Sequence, residues 1–253
     1  MGSLKGKKVL VTGGGQGIGR AISEAFLAQG ADVIVHYHSS AEGAEAVVKE
    51  ALKRGSRAKA IQADLTREAD AARLVKEGVA FLGGLTVLVN NAGDLVGRKT
   101  LDGVDLEYWR RILDINLTSM MLVTREAGPH LAAYHGASIV NLASLAGRKG
   151  GHPGSLVYST AKGAVITWTR ALSNELAPKG VRVNALAPGL ILGTRFHNTH
   201  TTKESADQTI LGIPLGRAGT PEDVAGATVF LASQYDGFIT GATLDVNGGV
   251  YCA

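Results

Sequence analysis

Short apolar runs alternate with longer amphipathic stretches along nearly the whole chain. The runs at 8–12, 32–37, 58–63, 86–90, 138–142, 182–187 and 243–246 carry Val, Ile, Leu and Ala at successive rather than only alternate positions. Strands that are apolar on both faces are buried between two layers, the situation of a parallel sheet covered by helices. Between these runs, 18–29, 41–53, 69–81 and 158–176 repeat apolar residues at helical spacing. Strand–helix alternation of this kind predicts an α/β fold: one doubly wound domain, 1–253, with a parallel sheet of about seven strands flanked by helices. The pattern is weakest over 193–215, where Thr, His and Gly break the helical spacing. A segment that long without a clear element is expected to be a mobile substrate flap, over 190–215.

Composition narrows the setting. A chain of 253 residues that is 45% hydrophobic can bury a sizeable core without disulfides or a structural metal. The single cysteine, Cys252, cannot form an internal disulfide framework, so a reducing cytoplasm is the expected location. The first residues show no signal-peptide core. No stretch reaches the roughly 18–20 apolar residues needed to cross a bilayer, and Gly83 and Gly84 interrupt the apolar segment around 79–89. The formal charge of +4 comes from mixed signs without a basic block, which argues against nucleic acid or membrane as a partner.

The chemistry begins where the first run ends. Gly13-Gly-Gly-Gln16-Gly17-Ile18-Gly19 lies between a strand and a helix pattern. There the backbone must turn sharply and approach a pyrophosphate closely, while the helix N-terminus offers unbonded N–H groups to an anion. Its Gly-x-x-x-Gly-x-Gly spacing resembles that of the short-chain dehydrogenase/reductase family, in the branch of the 3-oxoacyl-carrier-protein reductases, and further motifs follow in the family's order: Asp64-Leu65, Asn90-Asn91-Ala92-Gly93, Asn116, Ser144, Tyr158-x-x-x-Lys162 and Pro188-Gly189.

That resemblance implies a Rossmann-type fold, a nicotinamide dinucleotide as cofactor and, in the family's usual assembly, a homotetramer. Asp64 is expected to bond the adenine amine with Leu65 beside it, and Asn91, Ala92 and Gly93 to line the adenine-ribose side. Pro188, Gly189 and Ile191 are expected along the nicotinamide. Thr194 stands one position later than the family's usual threonine, with Gly193 in its place.

Tyr158 and Lys162 are four residues apart on a predicted helix and therefore share a face. An ammonium beside a phenol favours the phenolate, so the pair suits proton exchange with a substrate oxygen while the cofactor exchanges a hydride. The resemblance makes Ser144 the residue that polarises that oxygen, and Asn116 the anchor of a water relaying protons from Lys162. The Ser144-to-Tyr158 interval is one residue longer than the family's commonest, within the glycine-rich 147–154. The histidines form no convincing metal-ligand set, and His197 and His200 are expected on the flap surface.

An acid at the end of the second strand would bond a ribose 2′-hydroxyl and repel a 2′-phosphate. This chain has His36, Tyr37, His38, Ser39 and Ser40 there instead, which favours NADP(H) over NAD(H), although Gln16 stands where a basic residue would strengthen the case. Two substrate classes stay open: an acyl thioester, as in a 3-oxoacyl reductase, or a small sugar or polyol. Arg148, Lys149 and Arg195 are candidate contacts at the site mouth, with Arg125 and Arg170 elsewhere on helices. A non-catalytic nucleotide sensor is a remote rival, since such a protein has no need of Tyr158 and Lys162.

Overall fold

All seven apolar runs become strands of a single parallel sheet in the computed structural model, which describes residues 4–233 and 237–252 except the side chains of Phe196 and His197. The strands are β1 (Lys8–Val11), β2 (Asp32–Tyr37), β3 (Ala58–Gln62), β4 (Val87–Asn90), β5 (Ala137–Leu142), β6 (Val181–Pro188) and β7 (Thr243–Val246), in the order β3-β2-β1-β4-β5-β6-β7. The helices are α1 (Gly17–Ala28), α2 (Ala41–Lys53), α3 (Glu68–Leu82), α4 (Leu106–Leu113), α5 (Ser119–Ala132), α6 (Leu145–Lys149), α7 (Leu156–Leu176), α8 (Arg195–His200), α9 (Lys203–Leu211) and α10 (Pro221–Ala232).

Alternation along the strands feeds two cores. Val9 and Val11 of β1 join Ile22 and Phe26 of α1, Val47 of α2 and Val224 of α10 on one face. Leu10, one residue between them, joins Leu74 of α3 and Leu122 and Val123 of α5 on the other. The strands β4, β5 and β6 are buried at every position, as their unbroken apolar character predicts. Each fully buried Leu or Phe contributes roughly 1.5–3 kcal/mol, so the two cores hold the sheet rigidly beneath its loops.

Strand order reverses between β1 and β4, because the chain winds outward through β2 and β3 and then returns beside β1. The loops leaving β1 and β4 therefore diverge and open a crevice at the carboxyl ends of the strands.

Two features depart from the sequence pattern. The segment 190–215 holds the short helices α8 and α9, where the interrupted pattern predicts none. A threonine cap starts α9, with Ser205 N–H donating to Thr202 Oγ1, and Ile191, Ala206 and Ile213 pin the segment inward. Helix α10 is the second, lying outside the four helical stretches the spacing predicts: Thr220 and Asp223 form a reciprocal capping box with Pro221 in the first turn.

Candidate active site

The crevice is a cleft of about 1390 Å³, larger than the roughly 300–1000 Å³ of an ordinary small-ligand site. One half is built by the turn after β1. Gly13 and Gly17 have φ of +63° and +50°, the left-handed region that favours glycine. A β-carbon on Gly19 would lie 2.1 Å from the Gly13 carbonyl, and one on Gly15 would lie 3.0 Å from both Ser40 O and Ala44 N. The turn is thus folded down onto the starts of α1 and α2. Helix α1 has no acidic residue in its first turn, and Gln16 makes no side-chain capping bond. Gln16, Gly17, Ile18 and Gly19 at its start line the cleft, and a helix N-terminus in that place is a cradle that fits a pyrophosphate.

Thr12 and Asn91 lock this turn to β4. Thr12 Oγ1 accepts from the N–H groups of Asn91 and Ala92, and Asn91 Nδ2 donates to the carbonyls of Thr12 (2.8 Å) and Gly13 (3.2 Å). Asn90 turns away from the cleft and donates to Thr124 Oγ1 and Asn141 Oδ1, both at 2.9 Å. Asp64, Leu65, Ala92, Gly93, Pro188, Gly189, Ile191 and Thr194 all line the cleft. Asp64 accepts from the Thr66 hydroxyl at 2.7 Å, which holds its carboxyl below the usual carboxylate range. Thr194 points inward, 3.4 Å from where a β-carbon on Gly17 would sit, whereas Gly193 is exposed with φ +76°.

The end of β2 differs from expectation. Successive strand residues face opposite ways, so His36 and His38 line the cleft with Ser39 and Ser40, whereas Tyr37 packs against the first core and is not among the lining residues. His36 is 2% exposed and bonds to protein through both ring nitrogens. Burial pulls its pKa down to about 4, so it is neutral and supplies no charge to a 2′-phosphate.

The other half carries the catalytic candidates. Ser144 follows β5 and caps α6, its Oγ accepting from Ala146 N at 3.1 Å. Tyr158 and Lys162 lie one turn apart on α7, with Lys162 Nζ 5.8 Å from the centre of the Tyr158 ring. Lys162 Nζ donates to Leu142 O at 2.8 Å, and burial lowers its pKa to about 8. Tyr158 lines the cleft half-buried: burial pushes the phenol up to about 12, the bond with Ser144 pulls it down, and the Asp94 carboxylate pushes it up again. The resting side chain is therefore a neutral phenol, a proton donor, rather than the phenolate that an adjacent lysine alone would favour. The longer interval before Tyr158 is taken up at Gly150, Gly151 and Gly154, all with positive φ.

Asn116 sits in a π-turn, Asp114–Thr118, a local distortion common at functional sites. Its amide donates to Asp94 O (2.7 Å) and Ile112 O (3.0 Å), and its Oδ1 accepts from Asp94 N. The side chain thus clamps the Asp94 backbone.

Sequence reasoning missed this Asp94 region. Gly97 N–H donates to Leu95 O at 2.7 Å across Val96, whose φ is +63°, the only positive value outside glycine among the described residues. That is the strained hand of the γ-turn, on a β-branched residue, and costs roughly 1–3 kcal/mol. Asp94 Oδ1 accepts from Val96 N and lies 3.5 Å from His200 Nε2 of α8, joining two cleft walls a hundred residues apart in sequence. Arg98, Arg110 and Arg111 also line the cleft.

Lys149 and Arg195 line it as expected, whereas Arg148 faces away in a buried bidentate pair with Asp245. Arg125 is paired with Glu68 and Glu126 on the surface. The His197 side chain lies outside the described residues; among these no group of His, Cys, Asp and Glu could hold a metal.

A dinucleotide cradle at the switch point of a doubly wound sheet, with Ser144, Tyr158 and Lys162 converging beside it, defines a nicotinamide-dependent oxidoreductase. The family described as enoyl-(acyl carrier protein) reductase matches residues 13–251. The chain belongs to the short-chain dehydrogenase/reductase family, and among its relatives are 3-oxoacyl reductases. It is 40% identical to an uncharacterized oxidoreductase of Methylorubrum extorquens over 99% of this chain and 100% of the relative. It is 38% identical to a 3-oxoacyl-[acyl-carrier-protein] reductase of Synechocystis sp., over 99% of each chain. Among solved structures it resembles a short-chain dehydrogenase from Burkholderia cenocepacia in complex with NADP (TM-score 0.91, 33% identity, 98% and 99% of the two chains). A 7α-hydroxysteroid dehydrogenase complexed with NADH and 7-oxo glycochenodeoxycholic acid is similarly close (TM-score 0.92, 33% identity, 98% and 95%). No described helix is long and apolar enough to cross a membrane.

Proposed function

We propose that this chain transfers a hydride between NADP(H) and a 3-oxoacyl thioester or its 3-hydroxy counterpart. The observation that carries the substrate class is the basic lining of the cleft, where Arg98, Arg110, Arg111, Lys149 and Arg195 stand with the acidic Glu107 and Asp114. Such a lining suits a carbonyl compound delivered on a long anionic arm, and relatives at 38% identity bear the matching name. NADP(H) rests on the missing acid after β2 and on His38, Ser39 and Ser40 in the cleft, beside the neutral His36 ring.

The nicotinamide, when bound, supplies or accepts the hydride. Ser144 and Tyr158 hold the substrate oxygen between two hydroxyls, and Tyr158, a neutral phenol, gives it a proton in reduction. Lys162, fixed by the Leu142 carbonyl, stands behind Tyr158 to replenish that proton. Asn116 and Lys162 are assigned through their places in this network, and Gly13, Gln16–Gly19, His38, Ser39, Asp64, Leu65, Asn91–Gly93, Pro188, Gly189, Ile191 and Thr194 through theirs in the cradle. The segment 190–215 acts as the lid, with His200, Ser205 and Thr209 facing the cleft.

Sugars and polyols form the second reading, favoured by Asp94, His152 and His200, which give the cleft polar groups an acyl chain does not need. The test is turnover of a 3-oxoacyl thioester, its 2-enoyl counterpart and a polyol panel with each dinucleotide. Preferential reduction of the 3-oxo compound with NADPH supports the proposal; turnover of polyols alone overturns it. The chain is further read as a cytoplasmic homotetramer, for which the exposed Phe230 and Leu244 are contact candidates. Light scattering at the mass of one chain would contradict the tetramer.

A further inference from the structure

His36 stands one residue before the place where the ribose is read, and its ring points into protein rather than into solvent. Nδ1 lies 3.0 Å from Gly13 N, a group that can only donate. Nε2 lies 3.1 Å from Ala63 O, a group that can only accept. The partners therefore select one neutral tautomer, with the proton on Nε2. The ring bridges the turn after β1 to the residue just past β3, and the His36 main-chain carbonyl also accepts from Gly14 N at 2.8 Å.

Two consecutive N–H groups of the glycine turn, those of Gly13 and Gly14, are thus directed at β2. The N–H groups left for a pyrophosphate are those at the start of α1. Their position depends on Gly13, because its carbonyl is the atom against which Gly19 is seated. On the far side Asn91 Nδ2 reaches the same carbonyl, and a β-carbon on Gly13 would come within 3.3 Å of Ala92 Cα. Gly13 is held from both sides, and His36 is the hold on the β2 side.

We propose that His36, a buried residue at the edge of the cleft, is a positioning residue for the dinucleotide: with both ring nitrogens bonded to main chain, it acts through Gly13 to set where the first turn of α1 meets the pyrophosphate. The proposal rests on the cofactor reading of the cleft and is independent of the substrate.

The distinguishing consequence is indifference to the 2′-phosphate. His36→Leu removes both ring bonds at similar bulk, and His36→Gln keeps an acceptor for Gly13 and a donor for Ala63. Calorimetric titration of the folded variants with NADP(H) and NAD(H) is expected to show about tenfold weaker binding of both by the leucine variant, with their ratio unchanged. The glutamine variant is expected to recover most of the loss. His38→Ala, by contrast, is expected to shift the ratio, since His38 lines the cleft. Wild-type affinity in His36→Leu, or a loss confined to NADP(H), would overturn the proposal. If the leucine variant fails to fold, the imidazole nitrogen spectrum of wild-type protein decides. A neutral ring protonated on Nε2 supports the assignment; the other tautomer or an imidazolium at neutral pH overturns it. A wild-type protein that binds neither dinucleotide removes the reading beneath it, an outcome distinct from selective failure of the variants.

Discussion

On the β1–β3 side the cleft is built around a glycine turn of closely packed peptide groups, whereas on the β4–β6 side it is built around titratable side chains. In the first region, glycines let peptide groups approach one another, and Thr12, His36 and Asn91 bind those peptides from behind. In the second, Asn116 clamps the main chain of Asp94, a strained turn follows at Val96, and Tyr158 and Lys162 are held away from their ordinary pKa values by burial. The difference follows from what each must meet. A pyrophosphate is bound by a fixed array of N–H groups, so that wall gains from being fully bonded. A reacting oxygen needs groups that change protonation state, so that wall carries perturbed ones.

The comparison breaks most visibly at Gly19. A methyl there would sit 2.1 Å from the Gly13 carbonyl, so Gly19→Ala must open the turn. Calorimetry should show both dinucleotides bound at least about a hundredfold more weakly, on the order of 3 kcal/mol. Near-normal affinity would mean that the backbone wall does not hold the cofactor.

Next in size is the pH dependence of stability. The folded His36 pKa of about 4 lies below the unfolded value of 6.5, so the unfolded chain binds the extra proton first. Its contribution is fully present above pH 6.5 and lost as pH falls toward 4, on the order of 3 kcal/mol. Urea unfolding across that window should show the decline, and His36→Gln should flatten it.

On the side-chain wall the effects are smaller. Asp94→Asn keeps the acceptor for Val96 N–H but removes the charge that pushes Tyr158 upward. The pH at which alcohol oxidation switches on should move down by a few tenths of a unit, about 0.5 at most. An unmoved profile would show that Asp94 does not act on the tyrosine. Val96→Gly relieves the positive φ and should raise stability by less than about 1 kcal/mol in thermal unfolding.

The two regions were also unequally legible. The glycine turn and Tyr158-x-x-x-Lys162 are local patterns whose spacing carries their geometry, as are the seven strands. His36 was visible as a residue at the cleft, but its two ring bonds to Gly13 and Ala63 were not, because sequence does not reveal which side chains at a strand end are taken up by main chain. The meeting of Asp94 with His200 arises only when the loop after β4 and helix α8 close on one cleft. No spacing rule encodes it, and a valine is the last residue expected at a positive φ. Likewise Arg148, a reasonable surface candidate by sequence, is taken up by Asp245 of β7.

The central claim is that Tyr158 delivers the proton in a nicotinamide-dependent reduction. Single-turnover oxidation of NADPH, mixed with a 3-oxoacyl thioester and followed by nicotinamide absorbance, tests it directly in wild type and Tyr158→Phe. Hydride transfer is expected to slow at least about a hundredfold in the variant, with dinucleotide affinity within about twofold of wild type. Equal rates in the two proteins would contradict it.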